Sequence, residues 1–252
     1  MKKIMFDDHY GLERAVLEGR KTMTRRIVPE KLQATFDACS KGVLVIPLDC
    51  IPDDVSVEEF AEQWSKYRGQ GLVVPVKDEP NIQFIDGPAM VMEHSRFQKG
   101  ELVAIAQAYK DLPLPKGLRV SKKVRLSSGH RAYEFQDFEE SSGWNNKMFV
   151  RADLMPHGIR ITDIKVERLQ DISVDDILKE GVFQSPFGYC VEGIYHKQEP
   201  YYKDAEGNDF KYEVFARAED AFAALIEKIS GKGIWEKNPW VFAYTFEHVK
   251  LK

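Results

Sequence analysis

Positive charge is in short supply in this chain: 36 lysines and arginines stand against 40 aspartates and glutamates, a formal net charge of −4. That excludes a globally basic nucleic-acid binder, so any grip on a phosphate backbone has to come from a local patch on an acidic body. Cysteine is scarce as well. Cys39, Cys50 and Cys190 are odd in number and share no metal-type spacing, which argues for free thiols in a reducing cytosol. Long apolar runs are missing: the longest, around Val43 to Leu48, is far too short to span a membrane, and Met1 to Asp8 lacks the apolar stretch of a signal peptide. A cytoplasmic protein without a membrane partner is therefore expected. There is no Walker loop, dinucleotide glycine fingerprint, GxSxG elbow, internal repeat or low-complexity tract. His9, His94, His130, His157, His196 and His248 show no metal-type spacing, so neither metal nor cofactor is expected.

Against this background the segment Leu17-Glu-Gly-Arg-Lys-Thr-Met-Thr-Arg-Arg26 stands out. It concentrates Arg20, Lys21, Arg25 and Arg26 with the hydroxyls of Thr22 and Thr24. Leu12, Ala15 and Val16 share one face of a helix over roughly Tyr10 to Glu18, and Gly19 follows at the position where helices end in the left-handed conformation. The chain then leaves the helix as a cation-rich corner suited to a phosphate, a carboxylate or a nucleic-acid backbone, because guanidinium and ammonium groups supply charge-assisted donors. A solvated basic turn beside a helix C-terminus accounts for the same charges.

With 252 residues, 43% hydrophobic, 17 glycines and 12 prolines, the chain reads as one large or two small folded domains. The pattern predicts a helix near Glu30–Ala38, a strand at Val43–Pro47, and a helix at Val57–Tyr67 opened by the capping box Ser56-Val-Glu-Glu59. Short strands at Leu72–Val76 and Asn81–Ile85 follow. Leu102–Tyr109 is nearly continuously apolar and reads as a buried central strand. Lys116–Arg131 carries six basic residues and no acidic one, and Glu134–Glu140 carries four acidic ones. This reads as a hairpin with charges paired across its strands, or as a basic arm that grips phosphates. Ile159, Ile161, Ile164, Val166 and Leu169 mark a long strand whose alternation breaks between Ile161 and Ile164, as a bulge requires. Ser173 caps a helix that Gly181 stops. Val182–Tyr212 reads as a long ordered loop or lid, Phe215–Ile229 as an amphipathic helix ended by Gly231, and Val241–Val249 as the last strand.

Five pieces in fixed order carry a family likeness: Gly19-Arg-Lys-Thr-x-Thr-x-Arg26; Lys99-Gly-Glu-Leu-Val-Ala-Ile-Ala106; Arg160-Ile-Thr-Asp-Ile-Lys-Val-Glu-Arg-Leu-Gln-Asp-Ile172; Asp176-Ile-Leu-Lys-Glu-Gly181; and Asn238-Pro-Trp-Val-Phe-Ala-Tyr-Thr-Phe246. The chain resembles ASCH domain proteins of the PUA-like superfamily, most closely their longer phage-associated members, over about half of its residues. The likeness implies an α+β fold, a PUA-like (ASCH) small β-barrel flanked by helices, as a single domain 1–252. Its core pieces would be 10–27, 99–109, 147–181 and 213–250, with insertions at 28–98, 110–146 and 182–212.

Lys21 and Thr24 are the residues best suited to chemistry. A lysine partly desolvated among other cations has its pKa pushed down and can serve as a base, and a neighbouring threonine hydroxyl can act as nucleophile or orient water. Glu180 ends its helix where the dipole disfavours a carboxylate, a placement that suits a site, although a solvated helix end is equally compatible. In the ASCH family, the bacterial N(4)-acetylcytidine amidohydrolase uses a lysine, a threonine and a glutamate. The likeness puts these on Lys21, Thr24 and Glu180, although this chain is longer and has Arg25-Arg26 where that branch has an apolar residue and arginine.

Three functions follow as expectations. One is a module with a basic cleft lined by Arg20, Lys21, Thr24, Arg26 and Glu180 that binds RNA or a modified nucleotide. Another is an amidohydrolase acting on an acylated nucleobase or nucleoside. The third is an interaction protein of a phage or mobile element. Arg25 and Arg26 are expected to be exposed ligand contacts whose loss leaves stability intact. Trp240, with Trp235, Tyr189, Tyr195, Tyr201 and Tyr202, is available to stack on a base, at roughly 1–3 kcal/mol per base. Packing into the core after the Asn238-Pro239 turn is the other reading of Trp240.

Overall fold

The interleaved polar and apolar residues of His157–Arg168 and the largely apolar run opening Trp240–Lys250 make the two longest strands, and their antiparallel pairing is the spine of the molecule. The computed structural model describes residues 1–30, 32–33, 36–37, 71–72, 85–86, 94–113, 119–125, 128, 130–197, 203 and 207–251. In chain order these contain β1 (Lys3–Ile4), α1 (Leu12–Leu17), β2 (Met23–Ile27), β3 (Gly71–Leu72), β4 (Ile85–Asp86), β5 (Leu102–Ile105), β6 (Arg119–Arg125) and β7 (Arg131–Asp137). There follow β8 (His157–Arg168), α2 (Val174–Lys179), β9 (Val182–Ser185), β10 (Gly188–Val191), α3 (Ala218–Ser230), α4 (Ile234–Lys237) and β11 (Trp240–Lys250). The fold is α+β. Its main sheet runs β1-β5-β8-β11-β2, with β1 parallel to β5 and every other pair antiparallel. Among the described residues the sheet is open, and no closed barrel forms.

The break in alternation on β8 is a bulge. Thr245 pairs with Asp163 and Phe246 with Ile161, so Thr162 is the extra residue. Upstream of it, Ile159 and Ile161 are fully buried; downstream, the inward positions shift phase to Ile164 and Val166. One core lies between the sheet and α3, through Phe222, Leu225 and Ile226 against Val241, Phe242 and Tyr244. A second core, around Tyr109, Phe138, Val150 and Met155, supports the β6–β7 hairpin through Val120. In that hairpin Arg119 faces Asp137 at 3.3 Å and Lys122 stands opposite Glu134, as the charge pattern implied. Ser173 caps α2, its hydroxyl accepting from the Asp176 amide at 3.2 Å.

Several expectations need correction. Val182–Tyr212 is not one long loop but begins with the β9–β10 hairpin. The amphipathic helix starts at Ala218 rather than Phe215, because Phe215 exchanges two backbone hydrogen bonds of 2.9 Å with Tyr189. The apolar run from Leu102 is strand only as far as Ile105 and then turns through Tyr109–Asp111. Of the expected helix near Glu30–Ala38, the described residues Glu30, Leu32, Gln33, Phe36 and Asp37 are helical. The strand at Val43–Pro47, the helix at Val57–Tyr67 with its capping box, Cys39, Cys50, Tyr201 and Tyr202 lie outside the described residues. Leu72 and Ile85, of the two short strands, pair with each other. Among the described residues no helix is long and apolar enough to cross a membrane.

The Ser173 cap gives a direct check on the α2 boundary. Ser173→Ala should lower unfolding stability by about 1 kcal/mol, read by urea denaturation, without changing the denaturant slope.

Candidate active site

The basic corner is built by two helix ends that meet. After α1, Gly19 takes φ +75°, its N–H bonds the Val16 carbonyl at 3.0 Å, and the Lys21 N–H reaches back to the Ala15 carbonyl at 2.9 Å. This wraps the turn over the helix end and sends Lys21 inward rather than into solvent. The Thr22 amide then bonds the Lys179 carbonyl at 3.0 Å, docking the corner on the last turn of α2. Glu180 lies at that end, and Gly181 follows at φ +109°.

Lys21, Thr24 and Glu180 are all buried, at 2%, 5% and 5% exposure. The Lys21 ammonium donates to the Glu180 carbonyl and to Glu180 Oε2, each at 2.7 Å. Arg25 donates to the other Glu180 oxygen, Oε1, at 3.0 Å, to Glu167 Oε1 at 2.8 and 2.5 Å, and more distantly to Asp176 Oδ2. Lys165 completes the cluster at 2.7 Å from Asp176 and 3.0 Å from Glu167. Burial pulls the Lys21 ammonium below its ordinary range; Arg26 and Arg25 push the same way, while the Glu180 carboxylate opposes them. The Lys165 and Arg25 charges help hold the Asp176 carboxyl below its usual range against the opposing effect of burial.

A cavity of about 480 Å³ opens beside this cluster, and Lys21, Thr24, Arg25, Arg26 and Glu180 line one side of it. α3 adds an apolar stretch to the lining, Phe222, Leu225, Ile226 and Ile229, ending in Ser230, and the Phe6 ring lies 5.9 Å from the Lys21 ammonium. Among the described residues the Thr24 hydroxyl makes no hydrogen bond. Directly across the sheet from Thr24 stands Tyr244. Its hydroxyl is 2.9 Å from Ser95 Oγ, and since Ser95 donates to the Phe97 carbonyl at 2.6 Å, Tyr244 is the donor of that pair. Tyr244, Ser95 and Arg96 were not picked out from the sequence. The only signal for Tyr244 was its place in the closing-strand motif, and nothing local marks Ser95 or Arg96.

The other ligand candidates fall elsewhere. Arg25 is not an exposed contact: its side chain is 1% exposed and serves the buried ion cluster. Arg20 points away from the cavity and pairs on the surface with Glu18 at 2.6 and 2.8 Å. Trp240 also lies outside the cavity. Its indole N–H donates to Asp37 at 2.9 Å and its ring stacks under the Arg168 guanidinium at 4.6 Å, so it packs the closing strand rather than offering a free platform. Trp235 packs on Phe222 of α3. Arg26 does line the cavity.

A larger, more open depression of about 770 Å³ lies next to the first and shares Met5, Phe6, Asp7 and Ile229 with it. Its central cation, Lys147, is held by Asp8, Glu13 and the Phe6 carbonyl. Among the described residues no group of three or more His, Cys, Asp or Glu is arranged to hold a metal. No family model, curated protein or solved structure matches this chain.

The two arginines that looked alike in the sequence should therefore behave oppositely. Arg25→Ala removes the buried guanidinium that Glu167 and Glu180 share, leaving only Lys165 and Lys21 to offset them, and should cost about 3–5 kcal/mol of unfolding stability. Arg20→Ala should change it by about 0.5 kcal/mol or less. Denaturant melts of the two variants separate these outcomes, and equal effects would contradict the buried cluster.

Proposed function

We propose that the cavity binds an acylated nucleobase or nucleoside and that Lys21, Thr24 and Glu180 hydrolyse its amide. The observation that carries this is the buried Lys21 amine with two of its positions fixed on Glu180 beside an unengaged threonine hydroxyl. A neutral lysine has two hydrogens. The Glu180 carbonyl and carboxylate accept both, so the lone pair occupies the remaining position and is available as a base. Lys21 and Thr24 are not hydrogen-bonded to each other, which favours a water between them over direct attack by Thr24. In this scheme Lys21 takes a proton from a water oriented by Thr24, and the water oxygen bonds to the amide carbonyl carbon. Lys21, now an ammonium, faces the oxyanion and then gives its proton to the leaving nitrogen as the C–N bond breaks. The products are the free amine of the base and a carboxylic acid.

The fold reading that accompanies this is a PUA-like barrel of the ASCH type, with β8 and β11 as its long wall. The bulge at Thr162 supports it, since barrels turn their corners at such bulges. A binding module without turnover is the second reading. It is favoured by the cavity's charge: Lys3, Lys21, Arg25, Arg26 and Arg96 against Asp7 and Glu180, in a protein of net charge −4.

Incubation with N(4)-acetylcytidine and detection of cytidine tests the reaction. Lys21→Ala and Thr24→Ala should each reduce kcat by about a hundredfold or more. Absence of cytidine above the buffer control from neutral to alkaline pH would leave only the binding reading.

The pH profile adds a second check. Because the neutral amine is the base and burial lowers its pKa, the rate should rise with pH, with a midpoint below the 10.5 of an ordinary lysine. Glu180 holds that pKa up, so Glu180→Gln should move the midpoint to lower pH while reducing kcat. A midpoint unmoved in Glu180→Gln would show that Lys21 is not the titrating base.

A further inference from the structure

We propose that the ligand of this cavity carries a phosphate, bound by Arg26 from the cavity wall and Arg96 from its rim. The inference rests on the nucleoside reading above for the rest of the ligand, but its own basis is a charge that the protein leaves unmatched.

Both Glu180 carboxylate oxygens are already engaged, Oε2 by Lys21 and Oε1 by Arg25. The other lining carboxylate, Asp7, accepts the His9 amide at 2.8 Å. The Lys3 ammonium is turned to the carbonyls of Met148 and Val150 at 2.6 Å each. Arg26 is left over. It donates to the Met5 carbonyl at 2.8 Å, and among the described residues no carboxylate forms an ion pair with it. Arg26 is half-buried, and the partial loss of water together with the nearby Arg96 charge works against its charged form, with Glu180 opposing. An arginine cannot relieve this by losing its proton, so the favourable solution is an anion in the cavity.

Arg96 supplies the second fork. It is exposed, forms no ion pair with a carboxylate among the described residues, and lines the same cavity. Its backbone is held in place: Ser95 and Phe97 on either side are buried at 7% and 1%, Ser95 is bonded to Tyr244, and Phe97 packs edge-on against the Tyr244 ring at 5.3 Å. The Arg96 carbonyl also accepts from Lys2 at 2.5 Å. The Arg96 guanidinium lies over the Phe97 ring at 5.4 Å, so two guanidiniums, one from β2 and one from the segment before β5, line one cavity, where they repel each other and where one multi-oxygen anion satisfies both. A phosphate monoester presents three terminal oxygens, enough for both, whereas a carboxylate is filled by a single bidentate arginine. The cavity volume is within the range that encloses a ligand of nucleotide size.

Isothermal titration of the full chain with cytidine, cytidine 5′-monophosphate and inorganic phosphate, at constant ionic strength, tests the subsite. The monophosphate should bind about tenfold or more tighter than cytidine, the effect of one charge-assisted hydrogen bond, and inorganic phosphate should compete with it. Arg96→Gln, at an exposed position, should keep the wild-type melting temperature and erase most of the tenfold preference. Equal affinities for cytidine and its monophosphate would overturn the proposal, as would a preference that survives in both Arg96→Gln and Arg26→Gln. The hydrolysis reading fails separately: a phosphate preference without amide turnover leaves the subsite standing, and turnover without a phosphate preference removes it.

Discussion

The carboxylate of Glu180 is the interaction on which the site depends. One oxygen holds Lys21 and the other holds Arg25, so a single side chain at the end of α2 fixes the corner after α1 and the middle of β2. Arg25 extends the connection to Glu167 on β8 and Asp176 on α2, bringing four elements into one buried ionic cluster. Such clusters are poor sources of net stability, since an apolar core of the same volume often serves as well or better. What the charged cluster provides is definition: every member has its partner, and the Lys21 amine has one orientation. A lysine in an apolar pocket would be neutral but free to rotate; here Glu180 fixes it while burial still lowers its pKa.

That balance has a consequence for stability. Because Lys21 is depressed in the folded state, the unfolded chain binds more protons in the interval between the folded pKa and 10.5. The Lys21 contribution to stability therefore rises with pH across that interval and is unfavourable below it. A purely structural lysine would be expected to gain from its ion pair, with its pKa raised. The opposite sign at Lys21 follows from burial outweighing the pairing with Glu180.

What could be read from the sequence was what a few adjacent residues encode. Gly19 ending α1, Ser173 capping α2, and the change of phase across Thr162 each depend on local geometry, and each lies where the pattern put it. The convergence of Lys21 with Glu180 spans 159 residues, further than any periodicity reaches. Arg25 shows the limit. In sequence it is one of four cations in a polar corner, indistinguishable from Arg20. Its burial follows from Glu167, Asp176 and Glu180, more than 140 residues away, and Arg20 stays outside because its partner, Glu18, is two residues back. The β9–β10 hairpin was hidden for a different reason. Its strands are four residues each, and the Pro186–Phe187 turn and surrounding glycines and aromatics resemble a loop. Phe215 fits the helical repeat of α3 but is taken by backbone pairing with Tyr189, so tertiary context overrides the local pattern.

The two walls of the cavity constrain any ligand that fills it. The α3 side offers Phe222, Leu225, Ile226 and Ile229, with Phe97 also in the lining, and its only polar side chain among the lining residues is Ser230 at the helix end. The β2 side is a row of donors and one acceptor: Lys21, Thr24, Arg26 and the Glu180 carboxylate. A ligand that is apolar throughout would leave the β2 donors dry and unpaired, and one that is polar throughout would lose water on the α3 side without compensation. The molecule that satisfies both walls is flat with an apolar face and carries its polar groups along one edge. An aromatic base has this shape. On the proposed reading its ring faces would pack on α3 while an exocyclic amide on the edge would lie against Lys21 and Thr24. Because Thr24 and Arg26 are alternate residues of one strand, they share a face of β2, so polar groups reaching Thr24 and Arg26 can belong to the same ligand.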